Sequence, residues 1–274
     1  GRVTGVDRRG RSEGTIVEVL ERAHEVLVGR YYRENGIAYV AADNAKINHE
    51  VLIQPGCEHG AEPGQYVEVK ITQWPNIHRQ AQGEVVEVVG DYMAPGVEIE
   101  VALRSYDIPS VWPQEVLNEA AGLKDYVEEK DKLKRVDLRH LPLVTIDGED
   151  ARDFDDALYC EPQKASGWRL FAGGWKLYVA IADVSHYVPV GSALDEEAEL
   201  RGTSVYFPSE VVPMLPEAIS NGLCSLMPEV GRLALVCEMT ISKSGELTSY
   251  EFCEAVIHSH ARLTYNKVSS ILEH

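Results

Sequence analysis

The run Asp147-Gly148-Glu149-Asp150-Ala151-Arg152-Asp153-Phe154-Asp155-Asp156 puts six acids and one base into ten residues. It follows the apolar stretch Leu143–Ile146, so part of it must lie near a core. Like charges this close raise one another's pKa and strain the fold unless something offsets them. A hard divalent cation does so, and oxygen donors of this kind suit magnesium, manganese or calcium. A calcium-binding loop needs acids at positions 1, 3 and 5 and glycine at 6. No start within the run satisfies that pattern; from Asp147, positions 5 and 6 are Ala151 and Arg152. Several carboxylates with magnesium can activate a water and stabilise the leaving oxygen of an in-line phosphodiester displacement. No phosphate-cradling G-x-x-x-x-G-K-[ST], no H-E-x-x-H and no Ser-His-Asp order competes for the chemistry. The plainer alternative is a solvated acidic loop. The embedded Phe154 and the flanks Val144-Thr145-Ile146 and Ala157-Leu158 weigh against it.

The elements that must position this cluster are legible from alternation and turn residues. Glu13–Leu20 reads as a strand. Five more strand-like runs follow in about 65 residues: Glu25–Arg33, Gly36–Ala42, Glu50–Gln54, Tyr66–Gln73 and Glu84–Val89. Asn35-Gly36 is a hairpin turn signal, and five short strands suggest a small closed barrel. Ser105–Pro113 should be extended, Pro113–Leu123 helical, and the charged stretch Lys124–Arg139 solvated. Leu143–Ile146 and Leu177–Val184 read as buried strands and Leu194–Arg201 as a helix. Arg232–Ser242 and Thr248–Ile257 read as neighbouring strands, and a helix starts near Tyr265.

The whole chain has 274 residues, 45% apolar and 26% charged, which is the profile of a globular protein of about two domains. Its formal charge of −18 argues, taken naively, against nucleic acid as a partner. The imbalance is uneven: residues 1–90 hold 10 bases and 13 acids, while residues 91–274 hold 16 and 31. Any basic footprint must therefore be local. Cys57, Cys160, Cys224, Cys237 and Cys253 show neither paired nor zinc-site spacing, which fits a reducing compartment. No apolar run approaches the roughly 18 residues that span a bilayer. With no signal-peptide layout at the N-terminus, the expected location is cytoplasmic.

The acidic motif Leu143–Ala157 resembles the signature of the RNB family of exoribonucleases, the ribonuclease II/R type. Four further stretches resemble it in the expected order: Ala180–Val188, Arg201-Gly202-Thr203-Ser204-Val205-Tyr206-Phe207-Pro208, Pro213–Leu226 and Ser259–Tyr265. The resemblance covers nearly the whole chain. It implies an α+β multidomain architecture: an OB-type cold-shock β-barrel, then a truncated mixed α/β RNB catalytic domain. Residues 1–24 would end a first cold-shock domain and 25–90 form a second. Residues 91–136 would link, and 137–274 begin the catalytic domain. After Tyr159-Cys160-Glu161, the segment Gln163–Trp175 looks longer than the family's, as a longer hairpin loop would be.

What the resemblance implies for function is hydrolysis of single-stranded RNA, processively from its 3′ end, to nucleoside 5′-monophosphates with Mg2+, one ion or two, or Mn2+. Asp147, Asp153, Asp155 and Asp156 would be the metal-site aspartates, with Asp155 and Asp153 closest to the chemistry. Tyr206 would stack on the 3′-terminal base. The other RNA contacts expected are Arg262 and, on the barrel, Tyr31, Tyr39, Arg30, Lys46 and Arg79, because single strands bind aromatic faces beside cations. Tyr32, Trp74, His78, Arg33 and Lys70 are further barrel candidates. Strand alternation makes one of Tyr31 and Tyr32 a core residue and the other a surface one. His186 and His260 are read first as structural. The ribosome or RNA-decay machinery would be protein-side partners, and no membrane is expected.

Overall fold

The computed structural model describes residues 1–18, 20, 25–44, 47, 49–76, 78–163 and 173–273. The chain divides into two compact units, Gly1–Ser110 and Val111–His274.

The first unit opens with an exposed hairpin, β1 (Arg2–Val6) and β2 (Ser12–Thr15). The strand expected over Glu13–Leu20 thus ends at Thr15, where pairing with β1 ends. Five strands then close a barrel in the order β3-β4-β5-β7-β6: β3 (Val26–Glu34), β4 (Ile37–Ala42), β5 (Val51–Ile53), β6 (Tyr66–Gln73) and β7 (Ala81–Gly90). Alternation sends Leu27, Tyr31, Val40, Val51, Val67, Val69 and Val85 inward. Each such buried side chain contributes about 1.5–3 kcal/mol relative to exposure. Asn35 (φ 51°) and Gly36 (φ 82°) make the tight β3–β4 turn. Gly29 lies so close to β4 that a Cβ would stand 2.2 Å from the Ala41 carbonyl oxygen.

Helix α1 (Val97–Ser105) follows, buries Val97, Val101 and Leu103, and packs on β3 and β7. Arg104 fastens it with ion pairs to Glu68 (2.7 Å) and Glu87 (2.8 Å).

The second unit contains α2 (Gln114–Gly122), α3 (Glu129–Lys132), β8 (Val136–Asp137), β9 (Val144–Asp147), β10 (Asp156–Pro162) and β11 (Gly174–Ala182). Then come α4 (Ala193–Arg201), β12 (Val205–Tyr206), β13 (Val211–Val212) and a π-helical turn, Ala218–Leu223. It closes with β14 (Gly231–Ser242), β15 (Leu247–His258), β16 (Ala261–Thr264) and α5 (Tyr265–Leu272). One mixed sheet has the order β16-β9-β10-β11-β14-β15-β8. Its core runs through Leu143, Phe154, Tyr178, Leu194, Ile219, Leu226, Leu233 and Ile257. Residues 164–172 of the long β10–β11 connection lie outside the described residues.

The stretch Lys124–Arg139 departs from the solvated run expected of it. β8 pairs in parallel with β15, and the Arg135 side chain is only 6% exposed, in an ion pair of 2.6 Å with Asp183. Lys124, Lys130 and Lys132 do stay at the surface, paired with Glu128 and Glu129.

Candidate active site and nucleic-acid interface

β9 delivers Asp147 and β10 begins at Asp156, so the acidic run becomes the loop joining two strands of one sheet. Phe154 anchors it: the ring is 5% exposed, its N–H donates to Ser225 Oγ (3.1 Å), and its carbonyl accepts from Leu226 N–H (2.8 Å). The Asp155 carbonyl accepts from Ala182 N–H (2.9 Å), which ties the next residue to the end of β11. With the backbone held on both sides of the plug, Asp153 and Asp155 face an open cleft. That cleft, of about 840 Å³, is also lined by Asp147, Tyr206, Asn221 and Tyr265.

The electrostatics record crowding. Asp155 has its pKa raised, first by desolvation and then by Asp153, Asp156 and Asp147. Asp147 is raised by desolvation, Asp156 and Asp153, against a lowering pull from Arg262. Asp147 Oδ2 is buried with no hydrogen-bond partner among the described residues. As the side chains stand, no three acidic, histidine or cysteine groups among the described residues converge into a metal cage. The donor set nonetheless fits a hard cation that keeps part of its water shell: hard oxygens, mutual repulsion and an orphaned buried carboxylate oxygen.

Tyr206 stands across the cleft at the end of β12, paired with Val211 of β13. Its ring is 66% exposed, and its hydroxyl donates to Asp153 Oδ2 at 3.2 Å. Desolvation and Asp153 raise its pKa. Arg262 on β16 turns toward the acidic loop. Its Nη2 donates to the carbonyls of Gly148 (3.0 Å) and Glu149 (2.5 Å), and its guanidinium lies 5.1 Å from the Phe154 ring. Asn266 adds a hydrogen bond to Glu149 Oε1 (2.9 Å). Tyr265, Ser220 and Asn221 were given no role from sequence, yet they line the cleft. Their only sequence signal is that each lies inside a stretch of family resemblance.

The barrel sorts its candidates. Tyr31 is 1% exposed and belongs to the core, so it offers no face to a base. This corrects its expected RNA contact: alternation in β3 points Tyr31 inward and Tyr32 outward. Tyr32 stacks on its cross-strand partner Tyr39 (5.4 Å between centroids, 17° between planes). The Arg30 guanidinium lies 5.5 Å from the Tyr32 ring and 3.8 Å from that of Tyr92, which sits 6.2 Å from Tyr66. The result is one ladder of rings and a cation across the outside of the barrel. Arg33 pairs with Glu58 (2.6 Å), Trp74 packs against the barrel core, and Lys70, His78 and Arg79 are exposed. Lys46 lies outside the described residues. In the second unit His186 is held beside Asp131 (3.5 Å), and His260 donates its backbone N–H to the Leu143 carbonyl (2.7 Å).

Residues 135–274 match the RNB domain family, and residues 39–113 match the cold shock domain family. The chain is 55% identical over 270 residues to ribonuclease R of Vibrio cholerae, and 55% identical over 269 residues to ribonuclease R of Escherichia coli. In both cases 98% of this chain is covered but 32% of the relative, so it spans about a third of their length. Among solved structures, Mycoplasma genitalium RNase R in complex with ribose methylated single-stranded RNA superposes with a TM-score of 0.85 at 28% identity. That match covers 100% of this chain and 42% of the other. Among the described residues no helix is long and apolar enough to cross a membrane.

Proposed function

This chain belongs to the RNB family, and from that premise we propose that it carries the metal-binding half of a hydrolytic exoribonuclease site. The reading is a 3′-to-5′ enzyme that degrades single-stranded RNA to nucleoside 5′-monophosphates with Mg2+. The observation that carries it is the convergence of Asp147, Asp153 and Asp155 with an exposed tyrosine on one cleft. The likeness to a ribonuclease R structure bound to single-stranded RNA supports RNA as the substrate class.

Asp147, Asp153, Asp155 and Asp156 would hold the cation. Bound there, Mg2+ would supply positive charge for the attacking water and the leaving 3′ oxygen. Everything else falls to the chain. The Phe154 plug and the Arg262 hydrogen bonds fix the loop, so the carboxylates do not relax apart. The Tyr206 face holds a terminal base without regard to its identity, while its hydroxyl holds Asp153 in place. Water attacks the last phosphorus, the P–O3′ bond breaks, the shortened strand leaves with a 3′-hydroxyl that takes up the proton the water gives up, and the released nucleotide keeps the phosphate on its 5′ oxygen. The barrel ladder of Tyr39, Tyr32, Arg30 and Tyr92 would hold single-stranded RNA by stacking.

The test is a magnesium titration of the full-length protein with 5′-labelled single-stranded RNA. Mononucleotide release with progressive shortening from the 3′ end is expected. Binding without magnesium-dependent release would reduce the role to an RNA-binding module. Equal cleavage of a deoxyribo-oligomer would remove the ribonuclease assignment, since a 2′-OH contact separates the two substrates.

A further inference from the structure

We propose that Arg201 is a positioning residue: it latches the hairpin that carries Tyr206, and so sets where a terminal base is gripped relative to the aspartates. The proposal rests on the reading of Tyr206 as a base platform.

Arg201 is the last residue of α4, with its side chain 2% exposed. Each guanidinium nitrogen is committed. Nε donates to Glu197 Oε1 one helical turn back (2.8 Å), Nη1 to the Pro213 carbonyl (3.1 Å), and Nη2 to the Val111 carbonyl (3.2 Å). The guanidinium plane also stacks 3.5 Å from the Trp112 ring. One side chain thus joins α4, the segment entering the second unit, and the exit of the β12–β13 hairpin.

Besides the Tyr206–Asp153 hydrogen bond and the buried Val212 side chain, that hairpin has few other ties. Its strands are two residues each, and Phe207 N–H to Glu210 O closes its tip. At its base Ser204 Oγ accepts from Met214 N–H (2.9 Å), beside the Arg201–Pro213 contact. At its entrance Gly202 turns the chain sharply out of α4 with φ 70°. An isolated two-stranded ribbon this short cannot hold its own place. Tyr206 is 66% exposed, and packing does not fix it. Its height over Asp153 is therefore set from the hairpin base, where the fork of Arg201 holds the Pro213 carbonyl, together with the hydroxyl's own hydrogen bond to Asp153. Lysine would keep the charge but lose the fork and the stack.

The experiment is a double-mutant cycle on the full-length protein. Affinity for a short single-stranded oligoribonucleotide is measured in EDTA, so that hydrolysis plays no part. Arg201→Met and Tyr206→Ala should each weaken binding by about tenfold, in line with the loss of one stacked base. Arg201→Lys should fall in between. The double variant should bind no worse than Tyr206→Ala alone, because Arg201 acts through that ring. Additive losses, or Arg201→Met binding like the parent while Tyr206→Ala does not, would overturn the proposal. Should Arg201→Met fail to fold by circular dichroism, Arg201→Lys carries the cycle with the same criterion. Normal binding by Tyr206→Ala also overturns it, and leaves the exoribonuclease reading standing if the parent still releases mononucleotides. An intact cycle in a protein that never hydrolyses RNA leaves the latch standing and removes the enzyme.

Discussion

The Tyr206 hydroxyl donates a hydrogen bond to Asp153 Oδ2 at 3.2 Å, across 53 residues of sequence. An aromatic face open to solvent and a carboxylate of the acidic loop are thereby one mechanical unit. Removing the hydroxyl alone separates its two duties. Tyr206→Phe should bind a single-stranded oligomer within about twofold of the parent, because stacking needs only the ring. Its turnover should drop more than its binding, because Asp153 loses a donor. Turnover and affinity falling in parallel would show that the hydroxyl contributes to binding and not to placing Asp153.

Asp155 has its pKa pushed upward first by desolvation and then by Asp153, Asp156 and Asp147. Asp155→Asn in the full-length protein keeps the shape and removes one negative charge. It should abolish magnesium-dependent mononucleotide release, by at least about 10²-fold, the lower range for loss of an essential catalytic group. RNA affinity in EDTA should hold or improve, since a repulsive charge facing phosphates is gone. Retained hydrolysis would move the chemistry away from this loop.

Charge crowding also makes a pH prediction with a definite sign. Asp147 and Asp155 have folded pKa values above their ordinary range, so the folded state binds protons more readily there than the unfolded chain. Their contribution is favourable at low pH and is lost as pH rises through the raised values. Metal-free protein should therefore gain thermal stability as pH is lowered from neutrality toward the raised carboxylate values. Further acidification must reverse the gain. Glu128 is held at about 2 by hydrogen bonds from Lys124 and Lys130. In Asp183 burial pushes upward, but hydrogen bonds from Ser185 and Arg135 outweigh it. Added Mg2+ at neutral pH should raise the melting temperature, and Asp147→Asn with Asp155→Asn should flatten both effects. A melting curve indifferent to Mg2+ and to mild acid would show that the loop carries no uncompensated charge.

The sequence displays what is periodic and hides what is not. The barrel strands and the Asn35-Gly36 turn were legible because alternation and positive φ leave marks in residue type. Helix α1 was missed because Val97-Glu98-Ile99-Glu100-Val101 alternates like a strand, yet Val97 and Val101 share a buried helical face. The six acids of residues 147–156 were legible as a cluster of charge, and the family resemblance picked the four aspartates out of it. The contacts that organise them were not: Tyr206 to Asp153, Arg262 to Gly148 and Phe154 to Ser225 join residues 53 to 114 positions apart. Nothing local marks Arg135 as different from the lysines around it.

The barrel makes a paired prediction about two tyrosines on one hairpin. Tyr31 is buried, and its hydroxyl has no partner among the described residues, so Tyr31→Phe should be neutral or slightly stabilising. It should leave RNA affinity unchanged. Tyr39→Ala removes one rung of the outer ladder and should weaken single-strand affinity by about fivefold or more, the low end for a lost stacked base, at little cost in stability. If Tyr39→Ala binds normally in a titration at fixed salt, the ladder packs for its own sake and RNA runs elsewhere.

The last prediction concerns the ion pair that the charged run concealed. Arg135 and Asp183 are 6% and 4% exposed, 2.6 Å apart, and Asp183 also accepts from Ser185 Oγ at 2.7 Å. Asp183 follows directly on β11, and Arg135 directly precedes β8 at the far edge of the same sheet, so the pair ties an edge strand to an interior one. Breaking it one side at a time leaves a buried charge without its close partner; among the described acids Arg135 would keep only Glu254, at 3.9 Å. Asp183→Ala should cost about 3–5 kcal/mol in denaturant unfolding. Arg135→Met removes the other partner and should cost a similar amount. Replacing both by apolar residues should recover most of the loss, because the desolvation penalty disappears together with the attraction. A single Asp183→Ala loss below about 1 kcal/mol would place the pair among surface ion pairs despite its burial.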